Sequence, residues 1–126
     1  MSMRTPLSKV RGFGSAKEGT EHFWRQRVTA IANVPLIIAF CWLIISLVGA
    51  AHAEVVATLS SPLTAVLLAL IMASAIIHMR LGMQTVIEDY VNGELAKIVL
   101  LLINTYFAIF IGALCLFAIL KLAFGG

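Results

Sequence analysis

The sequence predicts an all-α integral membrane protein with three transmembrane helices, and three observations carry that expectation. Of 126 residues, 61% are hydrophobic and only 12% are charged, about half the roughly 25% charged share of soluble globular domains. The mean hydropathy is +1.02, and a water-soluble domain this small has too much surface for its volume to hide so much apolar side chain. The apolar residues also gather into three runs, each long enough to cross ~30 Å of hydrocarbon. These features exclude a soluble enzyme and a disordered tail. Cys41 and Cys115 lie far apart inside apolar runs, which excludes a disulfide scaffold and a Cys-based zinc finger. The chain therefore reads as one membrane domain over residues 1–126.

Residues 1–27 form a basic tail. Its first part, through Arg11-Gly-Phe-Gly-Ser15 to about residue 19, is polar and is expected to be irregular and to lie at the membrane surface. Gly19-Thr20 can cap a helix entered by Glu21, whose negative charge suits the positive end of the helix dipole. The first span is expected over about residues 28–51, with a mild kink at Pro35, which cannot donate to the Ile31 carbonyl. Ala51-His52-Ala53 resembles a signal-peptidase site. The basic region before it and the apolar run are both too long for a signal peptide, so this span is expected to be retained. Residues 52–61 read as a short loop, and Ser61-Pro62 as a cap followed by proline at the first helical position. The second span is expected over about 62–84. A turn marked by Asn92-Gly93 follows, and the third span covers about 98–120.

Six of the nine Lys/Arg residues (Arg4, Lys9, Arg11, Lys17, Arg25 and Arg27) precede the first span, and residues 52–61 hold none. The positive-inside rule places the N-terminus and the 84–97 connection in the cytoplasm, and the C-terminus outside it. A basic tail also fits nucleic acid, but this one runs straight into an apolar segment, few aromatics are interleaved and no nucleic-acid motif is present. No nucleic-acid partner is expected; the membrane is.

His78 is the first candidate for chemistry. Imidazole inside a span costs free energy unless it has a partner, and neutral imidazole is a good axial ligand for haem iron. Ser74 and Gly82, at i−4 and i+4, are small and share its face; a flat macrocycle needs such a low-relief surface. The plain alternative is a histidine bonded to a neighbouring helix. Glu88, Asp89 and Tyr90 lie where the second span should leave the membrane. The Tyr90 phenol can donate a hydrogen bond to a carbonyl at the bilayer edge, and an adjacent carboxylate can pass protons. An interfacial anchor with solvated acids explains the same residues. His22, Arg25 and Arg27 stand before the first span and can clamp carboxylate or phosphate groups, or simply fix topology and meet lipid headgroups. Asn33, Asn104, Thr105 and Tyr106 are expected to bond to other helices, and Ala108-x-x-x-Gly112 to pack closely. Gly12-x-Gly14 follows no strand and carries no phosphate-binding argument.

Two stretches, taken together, resemble a known family. His22-Phe-Trp-Arg-Gln-Arg27-Val-Thr-Ala-Ile31 leads into the first span, and His78-Met-Arg-Leu-Gly82-Met-Gln-Thr-Val-Ile-Glu-Asp89-Tyr90-Val91 ends the second. Both look like the small hydrophobic membrane-anchor subunit of succinate dehydrogenase, the respiratory complex II. The twelve-residue step from histidine to tyrosine is the more specific feature, and the resemblance covers roughly residues 20–120.

The resemblance implies a second three-helix anchor of the cytochrome b556 type, a haem b held between the two, and docked iron–sulfur and flavoprotein subunits, in a bacterial cytoplasmic membrane. It implies that His78 is one axial haem ligand, that Tyr90 bonds a ubiquinone carbonyl and that Asp89 lies beside the quinone. Arg27 and His22 would lie near the haem propionates; Arg25 leaves open which arginine does so. A fumarate reductase-type anchor has the same architecture, and a cofactor-free structural or assembly protein is the reading from a different class. A transporter is disfavoured, since one deep ionisable residue gives no evident pathway.

Overall fold

A computed structural model describes residues 5–7 and 18–125. Helices make up nearly all of it: α1 (Glu18–Ser46), α2 (His52–Leu59), α3 (Pro62–Tyr90) and α4 (Glu94–Ala123). α1, α3 and α4 are each long and apolar enough to cross a membrane. The expected irregular stretch around Arg11–Ser15 lies outside the described residues.

Each helix end has a local cause. α1 already begins at Glu18, so Gly19 and Thr20 lie within its first turn and do not cap it. It runs through Pro35 to Ser46. Turns such as Leu47 N to Ile44 O, 3.1 Å, then tighten its end, and Gly49 takes φ +81°, a left-handed conformation that costs glycine little. Residues 52–59, expected as part of a loop, are instead the helix α2. The segment HAEVVATL contains no Gly or Pro, Glu54 lies in its first turn, and the Ser60 hydroxyl donates to the Val56 carbonyl at 2.8 Å. At the start of α3 the Ser61 side chain accepts from Thr64 N, with Pro62 behind it, as the Ser-Pro pair predicts. α3 continues to Tyr90, so the turn before α4 is only Val91–Gly93. α4 carries Glu94 in its first turn and Lys121 in its last, each complementing the helix dipole.

Short connections make the three long helices antiparallel neighbours in sequence order. α3 packs against both α1 and α4, whereas α1 and α4 do not pack on each other among the described residues. The start of α1, the end of α3 and the start of α4 thus share one end of the bundle, while α2 lies against α3 and α4. Few side chains are buried: Leu43, Ala65, Ile71, Leu81, Ile87, Asn104 and Ala108. The most apolar windows of the three spans are 0%, 11% and 11% buried. Nearly all of that apolar surface is left for lipid or another chain, in keeping with three short-looped helices that cannot enclose a core.

The seam between α3 and α4 follows the small residues. Ala108 is 2% exposed, and a Cβ added at Gly112 would meet Ile76 Cδ1 at 3.5 Å. Asn104, 8% exposed, donates from Nδ2 to the Arg80 carbonyl at 2.9 Å, and Arg80 Nε donates to Thr105 Oγ1 at 3.4 Å. Two of the four polar residues expected to bond between helices therefore do so. Asn33 and Tyr106 make no such bond among the described residues.

Candidate functional site

His78 stands two residues past position 76, the middle of α3 (62 to 90), and so lies well inside the helix because α3 extends beyond the apolar run. Its face meets α1. The Ser74 hydroxyl is 3.5 Å from the Thr29 carbonyl, and Gly82 lies opposite Gln26, whose Nε2 would be 4.0 Å from an added Cβ. The small residues around His78 thus admit the neighbouring helix, where a bare surface for a macrocycle was expected. Small side chains let two backbones approach, and α1 takes that place.

The imidazole is held from one side. Its Nδ1 is 3.2 Å from Thr29 Oγ1. His78 then contributes to a cleft of 330 Å³ lined by Phe23, Gln26, Arg27 and Ala30 of α1. Nε2 makes no hydrogen bond among the described residues. An imidazole whose Nε2 makes no hydrogen bond, lining a cleft together with a guanidinium, fits what a haem would ask of this chain: a ligating nitrogen and a cationic partner for a propionate. No cluster of three or more His, Cys, Asp or Glu side chains exists among the described residues. A haem asks for none, since the porphyrin supplies four nitrogens itself.

The two arginines separate. Arg25 pairs with Glu21 one turn earlier, on the exposed face of α1. Arg27 lines the His78 cleft, with its guanidinium carbon 4.8 Å from the centre of the Phe23 ring. His22 lines a different recess of 280 Å³ with Gly19, Gln84 and Glu88. Its Nε2 is buried without a hydrogen-bond partner, while Gln84 Nε2 donates to Glu88 Oε1 at 2.8 Å. Geometry therefore brings His78 and Arg27 together and sets His22 apart.

Asp89 and Tyr90 occupy the last two positions of α3 and are exposed, Tyr90 to 80%. Twelve residues at 1.5 Å per residue place Tyr90 roughly 18 Å along the axis from His78. Neither residue lines the His78 cleft. The chain thus holds two groups of candidate residues, one at depth and one at the helix end.

Thr29 is the residue that motif reasoning passed over. It sits in an apolar run and carries no charge, so nothing about its own residue type singles it out. Counting along antiparallel helices finds it. It lies eleven residues from the start of α1, and His78 lies twelve from the end of α3 at the same end of the bundle. At 1.5 Å per residue the two sit at similar depth, roughly 17 and 18 Å.

Comparison with known proteins places the chain as a whole in a family. The family model described as "Succinate dehydrogenase/Fumarate reductase transmembrane subunit" matches residues 1–120. The succinate dehydrogenase hydrophobic membrane anchor subunit of Paracoccus denitrificans is 31% identical over 93 residues, which cover 74% of this chain and 72% of that one. The subunit of the same name from Rickettsia bellii is 33% identical over 92 residues, 71% of each chain. That of Rickettsia conorii is 31% identical over 112 residues, 84% of this chain and 85% of the relative. No solved structure matches at a significant level.

Proposed function

The chain belongs to the succinate dehydrogenase/fumarate reductase transmembrane subunit family, and on that premise we propose that it anchors a succinate:ubiquinone oxidoreductase, supplies one axial ligand to a haem b and forms part of the ubiquinone-reduction site. The observation that carries this reading is the His78 imidazole, held through Nδ1 by Thr29 and free at Nε2 beside a cleft shared with Arg27. Succinate oxidation itself belongs to another subunit, since the chain has no motif for a flavin or an iron–sulfur cluster.

Each residue then has a task. Haem, when bound, would supply a one-electron redox centre. His78 would hold the iron through Nε2, and a partner anchor of the cytochrome b556 type would supply the other protein ligand. Arg27 would pair with a propionate as a charge-assisted hydrogen-bond donor. His22, under one and a half turns earlier on the same helix, is the second candidate for that pairing. At the end of α3, Tyr90 donates a hydrogen bond from its hydroxyl to a quinone carbonyl. Asp89 beside it accepts protons from water and hands them on, because quinone reduction consumes two protons with its two electrons. The electrons arrive from a docked iron–sulfur subunit fed by a flavoprotein. The scarcely buried apolar spans support a membrane-embedded partner such as the second anchor.

Charge placement supports a cytoplasmic N-terminus and an extracytoplasmic C-terminus, and the relatives from Paracoccus and Rickettsia support a bacterial inner membrane. The family description also names fumarate reductase; an anchor working in that direction would have the same architecture.

The test is an optical spectrum of the chain purified with its partners, before and after succinate. A b-type α-band is expected in the native complex, and His78→Ala is expected to diminish or shift it. An unchanged haem spectrum and redox titration in that variant would reject the ligand role.

A further inference from the structure

The geometry points to Thr29 as the positioning residue that fixes both the tautomer and the ring orientation of His78; the inference rests on the reading of His78 as an iron ligand. A single proton decides the matter. Thr29 Oγ1 lies 2.8 Å from the Arg25 carbonyl and 3.1 Å from the Gln26 carbonyl, both in its own helix. A hydroxyl has one proton to give, and two backbone acceptors compete for it. Its oxygen lone pairs remain, and 3.2 Å away is His78 Nδ1. With the hydroxyl proton committed to its own backbone, Nδ1 must be the donor.

The consequence is chemical. In a neutral imidazole one nitrogen carries the hydrogen and the other the lone pair. An N–H at Nδ1 leaves the lone pair on Nε2, the nitrogen free to face the cleft. The opposite arrangement, with Thr29 donating to Nδ1, would leave an N–H on Nε2 that cannot bind iron. The partner of a metal-bound histidine's second nitrogen commonly sets this choice and raises the basicity of the ligand. A hydroxyl that is itself donating to a carbonyl is a better acceptor than a free one.

The surroundings hold this pair in place. Ser74, one turn before His78, reaches the Thr29 carbonyl, and Gly82, one turn after, lets Gln26 approach. α1 and α3 are therefore in close contact above and below the bond. The Oγ1–Nδ1 contact spans 49 residues of sequence, so it also ties the ligand to the helix that presents Arg27. Rotating the imidazole away would break the bond and leave an N–H without a partner in an apolar region, which disfavours that rotation.

The experiment uses the assembled complex with its own haem and compares Thr29→Val with Thr29→Ser. Valine keeps the shape and removes the acceptor; serine keeps the hydroxyl and removes a methyl group. Three properties are read: the reduced-minus-oxidised α-band, the g values of the ferric haem by electron paramagnetic resonance, and the haem midpoint potential. Thr29→Val is expected to weaken ferric relative to ferrous ligation about tenfold, the lower end of the effect of losing such a partner. For one electron that is a rise of about 59 mV, accompanied by changed g values. Thr29→Ser is expected to match the native complex.

Loss of haem from the valine variant alone would also support the role. Native potential and g values in Thr29→Val would overturn it, and so would equal changes in both variants, which would mark a packing effect. His78→Ala separates the two readings. A native spectrum there defeats the ligand assignment itself, whereas a lost band there with an unperturbed Thr29→Val defeats only the role of Thr29.

Discussion

Ala108 and Gly112 form one small-x-x-x-small pattern, yet the structure gives them opposite tolerance to enlargement. Ala108 is 2% exposed at the seam between α3 and α4. Leucine there adds three carbon atoms where no space remains, and overpacking of that kind costs about 1–3 kcal/mol. Through the size scaling of thermal unfolding, about 4 °C per kcal/mol for a chain of this length, the loss is roughly 4–12 °C. Gly112 has room. A Cβ there would meet Ile76 Cδ1 at 3.5 Å, an ordinary contact, and the residue borders an apolar cleft of 280 Å³. Alanine also removes the backbone freedom that makes glycine unfavourable in a helix by about 1 kcal/mol. Gly112→Ala is therefore expected to keep or raise stability. The assay is stepwise heating of the detergent-solubilised complex, with the fraction of chain still co-eluting with its partners measured at each step. Equal midpoints for Ala108→Leu and the native complex would refute the packing argument, as would a large drop for Gly112→Ala.

Three further outcomes follow from the same geometry. Asn104→Leu removes the bond to the Arg80 carbonyl at similar volume; the same heating assay should show a loss of about 0.6–1.7 kcal/mol, the range for interhelical hydrogen bonds in membranes. Tyr90→Phe should slow quinone reduction while succinate oxidation with an artificial acceptor persists, and equal loss of both would indicate assembly damage instead. A reporter fused after Gly126 should be extracytoplasmic, and a cytoplasmic signal would reverse the orientation argued from the charges of the tail.

The candidate site was partly legible in one dimension. His78 stands out because an ionisable group inside an apolar run has to be accounted for, and Tyr90 because it lies one dozen residues on at a helix end. Arg25 and Arg27 cannot be ranked from sequence, since both are basic and only two residues apart. The fold ranks them: Glu21 takes Arg25 on the exposed face, and Arg27 falls on the side of α1 that borders His78. His22 shares a helix with Arg27 but opens onto another recess. The residues of 52–61 show the opposite error, a connection without Lys or Arg read as a loop where a Gly-free segment forms a short helix beside α3 and α4.

Hydropathy and punctuation alone suffice for the number of spans, their approximate places and the Ser61 cap, because lipid obliges each apolar run to satisfy its backbone within itself. Those are local demands, met by residues that are neighbours in the chain. The Thr29–His78 bond, the choice between two arginines and the unequal room at Ala108 and Gly112 depend on which helix faces which, and at what rotation. A helix of uniformly apolar surface carries almost no amphipathic signal for that rotation, so it is settled only when small side chains and a few polar atoms find partners across the seams.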